Sequence, residues 1–264
     1  MKSPQLVSVL INNYNKEKYC LNAVKSALNQ TYKNLEVIFY DDNSNDNSVK
    51  KIKEIKTDKL KIILNKKRSK KFSYNQINGI KKAFNKSRGN IICLLDSDDF
   101  FSKKKIYEVY KHFKSNKSHD VVYDLPILYF PNKKINVKKN NYFKRKNKWP
   151  KFPPTSCISF KRKAFKNAIT KISVLKFEEL WFDFRICTYF GLKKNQFNLI
   201  NKPLTYYRQY NDSYDKKYKK FINREWWKRR DQAFEFIKFL DKNKYKKNTH
   251  TFDFIITNLI NKFY

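Results

Sequence analysis

The run Asn90–Phe101, NIICLLDSDDFF, constrains this chain more than any other stretch. Ile91 to Leu95 is unbroken apolar sequence directly after Gly89 and Asn90, the pattern of a short buried strand. It runs straight into Asp96, Ser97, Asp98 and Asp99. Carboxylates packed at the exit of a buried strand repel one another and are costly to desolvate unless a cation joins them. Residues i and i+2 of an extended segment point the same way, so Asp96 and Asp98 can face one target. Hard oxygen ligands suit Mg²⁺ or Mn²⁺, ions that commonly bridge to phosphate oxygens. The competing reading is an acidic turn in which Asp99 or Ser102 caps the next helix. These residues alone do not separate the two, because D-x-D is short and common.

What precedes this run repeats its logic. Leu6–Ile11 is a β-rich apolar run, followed by the polar turn Asn12–Lys16, in which Asn15 could cap a helix. From Tyr19 to Leu28 the residues Leu21, Val24, Ala27 and Leu28 recur at helical spacing. Asn34–Tyr40 reads as a second strand ending in the turn Asp41–Asp46, which can also start a helix over Val49–Ile55. Leu60–Leu64 is a third strand, the basic loop Lys66–Lys71 follows, and Tyr74–Asn85 is again helical. Strands alternating with helices predict β-α-β units and a mostly parallel α/β sheet. Ligands of such sheets bind beyond the carboxyl ends of the strands, where Asn12–Lys16, Asp41–Asn45 and Asp96–Asp99 would converge. Strand-to-helix turns favour Asn and Asp anyway, which accounts for Asn45 and Asp46 but poorly for the packed carboxylates at 96–99.

Composition bears on the partner. The formal net charge is +37 in 264 residues, of which 41% are hydrophobic and only 3 are glycine. Such charge fits a nucleic-acid binder or attraction to anionic lipid headgroups. The bland account is drift of an AT-rich coding sequence towards Lys, Asn, Ile, Phe and Tyr. Even spread of the lysines favours it, with Lys66–Lys71 and Lys138–Lys148 as solvated loops that could also help hold an anion. Cys20, Cys93, Cys157 and Cys187 lie far apart with no C-x-x-C, so neither zinc nor disulfides are expected and a reducing cytosol fits. No apolar run approaches the ~20 residues that span a bilayer, and no signal-peptide core precedes the first strand, so membrane contact would be peripheral.

The segments VSVLINNYNKEKYCLNAVKSALNQTYKNLEVIFYDDNSNDNS and NGIKKAFNKSRGNIICLLDSDDF, in this order, closely resemble family-2 glycosyltransferases of the GT-A fold. The resemblance covers roughly Gln5–Arg208. It implies a Rossmann-like, mostly parallel sheet flanked by helices, and an inverting transferase that uses a nucleotide-sugar donor, a UDP-sugar first, with Mn²⁺ or Mg²⁺. By the same resemblance, Asn12 and Tyr14 would touch the nucleotide and Asp42 would hydrogen-bond the base, with Asp41 beside it. Asp96 would contact the ribose or sugar, and Asp98 would ligate the metal, with Asp96 and Asp99 adjacent. A metal would then handle the phosphates, consistent with the absence of a G-x-G-x-x-G or Walker loop.

Displacement at an anomeric carbon also needs a base for the acceptor hydroxyl. Members of that family usually carry Glu-Asp a few residues before an Arg. Counting back from Arg185, Glu178-Glu179 fall there, so Glu179 would be the base in place of Asp. Its extra methylene shifts the carboxylate by about a bond length, in a geometry that tolerates little. Asp183 is the competing candidate. For Glu178 and Glu179 the structural alternative is charge at a helix N-terminus, and for Asp183 an ion pair with Arg185.

Val121–Phe130 reads as a strand broken at Asp124 and Pro126 into a turn or edge strand. Trp149–Pro154 reads as a stiff loop, Thr155–Phe160 as a strand, and Leu204–Arg208 as the strand closing the domain. Trp149 and Trp181 could stack on sugars. Residues 1–210 would form the catalytic domain and 211–264 a helical extension. In that extension Phe221, Trp226, Trp227, Phe234, Ile237 and Leu240 mark one amphipathic helix and Thr251–Phe263 a second. The extension would pack on the domain or lie on a membrane carrying a lipid-linked acceptor. Two rival functions fit less well. A nucleotidyltransferase would be expected to carry a Gly-rich first loop, which is absent here. A nucleic-acid-binding protein would leave the carboxylates unexplained, since they repel phosphate without a cation.

Overall fold

A computed structural model describes residues 4–138, 152–194, 196–210 and 223–263. The expectations placed on Trp149, on Phe221 and on most of Lys138–Lys148 fall outside them.

The first half follows the alternation read from the sequence. β1 (Val7–Asn13), α1 (Cys20–Leu28), β2 (Leu35–Asp41), α2 (Ser48–Lys53), β3 (Leu60–Leu64), α3 (Phe72–Lys86) and β4 (Ile91–Asp96) succeed one another. After β4 come β5 (Phe100–Phe101), α4 (Lys105–Ser115), β6 (Val121–Tyr129), β7 (Lys134–Asn136), β8 (Ile158–Lys161), α5 (Arg162–Ile172), α6 (Phe182–Lys194) and β9 (Leu199–Arg208). Among the described residues the nine strands form one sheet of order β3-β2-β1-β4-β8-β6-β9-β5, with β7 on β6. β3, β2, β1 and β4 are parallel, as are β6 and β9, whereas β8 runs antiparallel to both its neighbours.

Alternation along the strands splits the core in two. Leu10, Ile38, Tyr40, Ile92 and Leu94 face α3, α5 and α6, while Val9, Ile11, Val37, Phe39, Cys93 and Leu95 face α1 and α4. The four cysteines are buried thiols. Helix α3 crosses β1 and β2 closely enough that a Cβ on Gly79 would lie 2.2 Å from Asn12 Oδ1 and 2.7 Å from the Tyr40 ring.

Several local expectations are corrected. Asn15 does not cap α1, whose N-cap is Tyr19. Asn15 instead takes a left-handed φ of 50° and its side chain accepts from Asn45 N–H. Neither Asp99 nor Ser102 caps α4, whose N-cap is Lys104. Thr155–Cys157 is a 3-10 turn, and the strand begins at Ile158. β6 is not broken at Asp124 and Pro126 but runs on as an interior strand. Register shifts against β9 at these residues absorb the missing proline N–H. Asp124 is tolerated there because Lys105 of α4 reaches it in an ion pair with side-chain exposures of 0% and 1%. Thr205 Oγ1 donates to its other oxygen at 2.8 Å.

The chain ends in α7 (Arg224–Leu240), α8 (Lys242–Asn248) and α9 (Phe252–Phe263). α7 packs on the domain through Phe236, whose ring lies 5.1 Å from that of Phe177. No helix among the described residues is long and apolar enough to cross a membrane.

Removing one member of a buried ion pair strands the other. Asp124→Ala is therefore expected to cost about 3–5 kcal/mol, seen as a lowered urea midpoint. Lys105→Met combined with Asp124→Leu should recover most of that loss. A single variant as stable as the parent would show that Lys105 finds water in the fold.

Candidate functional site

Parallel pairing in register aligns the strand ends. Asn12 lies opposite Tyr40 on one side and Asp96 on the other, and Asn13 lies opposite Asp41. The polar turns after β1, β2 and β4 therefore meet at one rim. A cavity of about 690 Å³ opens over it, lined by Asn12, Tyr14, Asp42, Asp96, Asp98 and Asp183 among others. That size suits a small organic ligand.

One end of the cavity is aromatic and basic. The Arg68 guanidinium lies 3.5 Å from the centroid of Tyr14 and 4.9 Å from that of Phe72. Arg68 Nε donates to Asp42 Oδ2 at 2.7 Å, while Asn65 Nδ2 donates to Asp42 Oδ1 at 2.8 Å. Asp42 is thus buried yet fully paired, beside an aromatic ring on which a planar cation is already stacked. The outer surfaces of this stacked pair offer a heteroaromatic base a flat face, with the carboxylate as acceptor for a ring N–H. Asn12 borders the cavity, and its buried Oδ1 has no hydrogen-bond partner among the described residues. Asp41 does not line the cavity. Its carboxylate accepts from Asn13 Nδ2 at 2.7 Å, from Ser44 Oγ at 2.7 Å and from Ser44 N–H at 2.9 Å. It thereby closes the turn in which Asn43 has a φ of 62°.

The other end is crowded with carboxylates. Burial, then Asp98 and Asp183, pushes Asp96 up to about 7. Asp99 is pushed up too, by burial and then by Asp98 and Asp96. Asp99 acts as a buttress, accepting from Ser156 Oγ at 2.6 Å and from Arg208 N–H at 2.9 Å. Asp98 is the carboxylate that attracts a cation: Lys16 Nζ sits 2.8 Å from its Oδ2. Tyr210 donates its hydroxyl to the same oxygen. Among the described residues no three His, Cys, Asp or Glu side chains cluster tightly enough to hold a metal by themselves. A divalent ion at Asp96 and Asp98 would need oxygens from a ligand, the usual state of Mg²⁺ beside phosphates.

The two candidate bases are placed differently. Asp183 lies in the first turn of α6 and lines the cavity, next to Trp181. Glu179 is absent from the cavity wall, and its carboxylate lies 3.3 Å from Lys228 Nζ of α7. Glu178 is held by Lys71 at 2.6 Å and Lys228 at 2.8 Å. The hydrogen bonds from Lys228 and Lys71 pull its carboxyl down to about 2. Arg185 is wholly buried and donates to the carbonyls of Leu180 at 3.0 Å, Ile172 at 2.8 Å, Val174 at 2.7 Å and to that of Phe177.

Lys16, Arg68 and Tyr210 were not singled out from the sequence. Arg68 had a signal: it is the one arginine in the basic block KKRSKK, and only a guanidinium both stacks on a ring and forks onto a carboxylate. Tyr210 had none, since its place depends on the path of β9.

Comparison with known proteins bears on the family and the fold. The family model "Glycosyl transferase family 2" matches residues 8–181. An uncharacterized glycosyltransferase of Nostoc sp. is 28% identical over 220 residues, covering 76% of this chain and 64% of the relative. The Escherichia coli protein WfaP, a UDP-Glc:alpha-D-GlcNAc-diphosphoundecaprenol beta-1,3-glucosyltransferase, is 35% identical over 102 residues, 39% of each chain. The chain thus spans less than two thirds of the length of these relatives. Among solved structures, S. aureus TarS in complex with UDP-GlcNAc superposes with a TM-score of 0.67 at 15% identity. That match covers 95% of this chain and 72% of the other, and it shows a shared GT-A fold.

Crowding of carboxylates has a pH signature. Folding raises the Asp96 pKa from 3.8 to about 7, so the folded state keeps a proton that the unfolded chain loses. Rising pH through this interval therefore destabilises the ligand-free protein. Asp96→Asn removes the effect. Its Tm should match the parent near pH 4 and exceed it above pH 7, the gap opening as pH rises across this interval. A constant difference across the interval would contradict the assignment.

Proposed function

The chain belongs to glycosyl transferase family 2, and from that membership we propose that it moves a sugar from a UDP-sugar to a glycan or lipid-linked acceptor, inverting the anomeric carbon. The setting is cell-surface polysaccharide or lipopolysaccharide synthesis at the cytoplasmic face of a membrane. The observation that carries the reading is the meeting of Tyr14, Asp42, Asp96, Asp98 and Asp183 on one cavity. UDP-GlcNAc in the TarS structure and the diphosphoundecaprenol-linked acceptor in the name of WfaP support the donor and acceptor classes.

In this reading the uracil stacks at Tyr14 and Arg68, and Asp42 accepts its ring N–H. Asp96 holds a hydroxyl of the ribose or of the sugar. Asp98, with Asp96 beside it, would hold Mn²⁺ or Mg²⁺, whose charge would stabilise the departing diphosphate. The residues fit such an ion, because Asp98 already draws in the Lys16 ammonium and Asp96 lacks a counter-charge strong enough to keep it ionised. Lys16 stands at the same oxygen and is placed to meet a phosphate once a donor is bound.

Asp183, rather than Glu179, takes the acceptor proton. As the hydroxyl oxygen bonds to the anomeric carbon and the bond to the nucleoside diphosphate breaks, the proton passes to the Asp183 carboxylate. Glu179 is tied to Lys228 and serves to fasten α7 to the loop before α6.

A panel of nucleotide sugars tested for donor hydrolysis identifies the donor. With that donor, Asp183→Asn is expected to lower kcat by about 10²–10⁴-fold, whereas Glu179→Gln should leave it nearly unchanged. The reverse order would make Glu179 the base. UDP binding should weaken on chelation of divalent ions in the parent. In Asp98→Ala it should be weak and indifferent to them; UDP binding that stays metal-dependent in this variant would remove Asp98 from the ligand set.

A further inference from the structure

The terminal helices are not equivalent. α7 spends most of its apolar side chains on the protein: Ala233, Phe234, Phe236, Ile237 and Leu240 are buried, while Phe239 is 49% exposed. Most of the amphipathic face that sequence periodicity offered to a membrane is therefore used in packing. α9 is different. It rests on the outer side of α7, with Phe254 stacked edge-on against Phe234 at 5.0 Å and Asn261 Nδ2 donating to Trp227 O at 3.1 Å. Asp253 pairs with Arg230. Only Thr257 of α9 is fully buried.

The opposite side of α9 is apolar and exposed. Phe252 is 77% exposed, Ile255 54%, Leu259 56% and Phe263 83%. These positions follow one another at three- and four-residue steps, so they form a single stripe along the helix. Isolated exposed apolar residues are ordinary, but a continuous stripe of large ones on a twelve-residue helix marks a contact surface. The surroundings of the stripe say what it contacts. Lys262 is exposed between Leu259 and Phe263, and α8, joined to α9 only by residues 249–251, exposes Lys242, Lys246 and Lys247. An apolar stripe on a helix too short to span a bilayer, with Lys262 at its end and exposed lysines on the preceding helix, has the composition of a helix that lies in the headgroup layer of an anionic membrane.

We propose that α9 is the membrane-docking element of this protein, its stripe inserted among acyl chains and the α8 lysines set against anionic headgroups. The placement also serves the site. Arg229 of α7 lines the cavity, and α9 packs directly on α7. A docked α9 thus brings the α7 wall of the cavity towards the lipid, with the thickness of the two helices between them. That is within reach of an acceptor whose lipid tail stays in the bilayer. The docking itself does not depend on the donor assignment.

The test is co-sedimentation of the full chain with vesicles rich in phosphatidylglycerol and, separately, with phosphatidylcholine vesicles. The parent should bind the anionic vesicles strongly and the neutral ones weakly. Ile255→Ser, Leu259→Ser and Phe263→Ser combined should lower binding to anionic vesicles by about tenfold or more. Reversal of Lys242, Lys246 and Lys247 to Glu should lower it by about a hundredfold. Because all six side chains are exposed, Tm and UDP affinity should be those of the parent in both variants, so loss of docking is distinguishable from loss of the donor site. A parent that stays in the supernatant overturns the proposal. So does a serine variant that binds as tightly as the parent, since general basic charge would then suffice. A parent dimer in light scattering that the serine variant dissolves, with no vesicle binding, assigns the stripe to a second copy of this chain instead.

Discussion

Negative charge gathered at the end of β4 is the condition the rest of the site answers to. Asp96, Asp98 and Asp99 leave a buried strand together, and α6 brings Asp183 to the same hollow. Desolvation and mutual repulsion oppose this arrangement. The chain meets it by drawing partners from distant segments: Lys16 from the turn after β1, Ser156 from the 3-10 turn, the Arg208 N–H from the end of β9. Asp99 is satisfied by these neutral donors and serves as structure. Asp98 receives the Lys16 ammonium and Asp96 is pushed up to about 7, so the residual demand for positive charge is concentrated where a donor diphosphate would lie.

Such a site requires that strand ends and helix stay in fixed register. The parallel pairing of β1 with β2 and β4 puts Asn12 between Tyr40 and Asp96. Close passage of α3 over these strands holds the rim down, and it is possible only because position 79 has no Cβ. On the far side, the buried Lys105–Asp124 pair fastens α4 to β6. Buried pairs of this kind add little to net stability but penalise any register that would separate them.

The first half of the fold was legible because its signals are local. Apolar runs of strand length alternate with helical periodicity, and each run ends in Asn or Asp, so β1 to β4 and the rim could be read almost residue by residue. Beyond β4 the signals become tertiary. Asp124 and Pro126 look like breaks in a strand, and only the arrival of Lys105 and the register shifts against β9 reveal an interior one. The same limit hid half of the site. Tyr14 and Asp42 lie in recognisable turns, but Arg68 and Tyr210 matter because of where a loop and a strand end return, which no spacing records. The extension shows the limit in another form. Periodicity finds amphipathic faces in both α7 and α9, yet cannot say that most of the first is consumed by the core and the second is left outside.

The two candidate bases show what a sequence landmark leaves unrecorded. Counting back from Arg185 treats it as a fixed marker and points to Glu179. In the fold Arg185 faces away from the cavity and gathers four carbonyls from 172–180, its charge met by peptide dipoles instead of a carboxylate. That folds the loop so that Glu178 and Glu179 turn towards Lys228, and α6 starts at Phe182 with Asp183 in its first turn. Lysines beside a carboxylate lower its affinity for a proton, as Glu178 at about 2 illustrates, whereas burial and like-charged neighbours raise that of Asp96 to about 7. Arg185 thus shapes the loop that delivers Asp183 to the cavity and leaves Glu179 outside its wall.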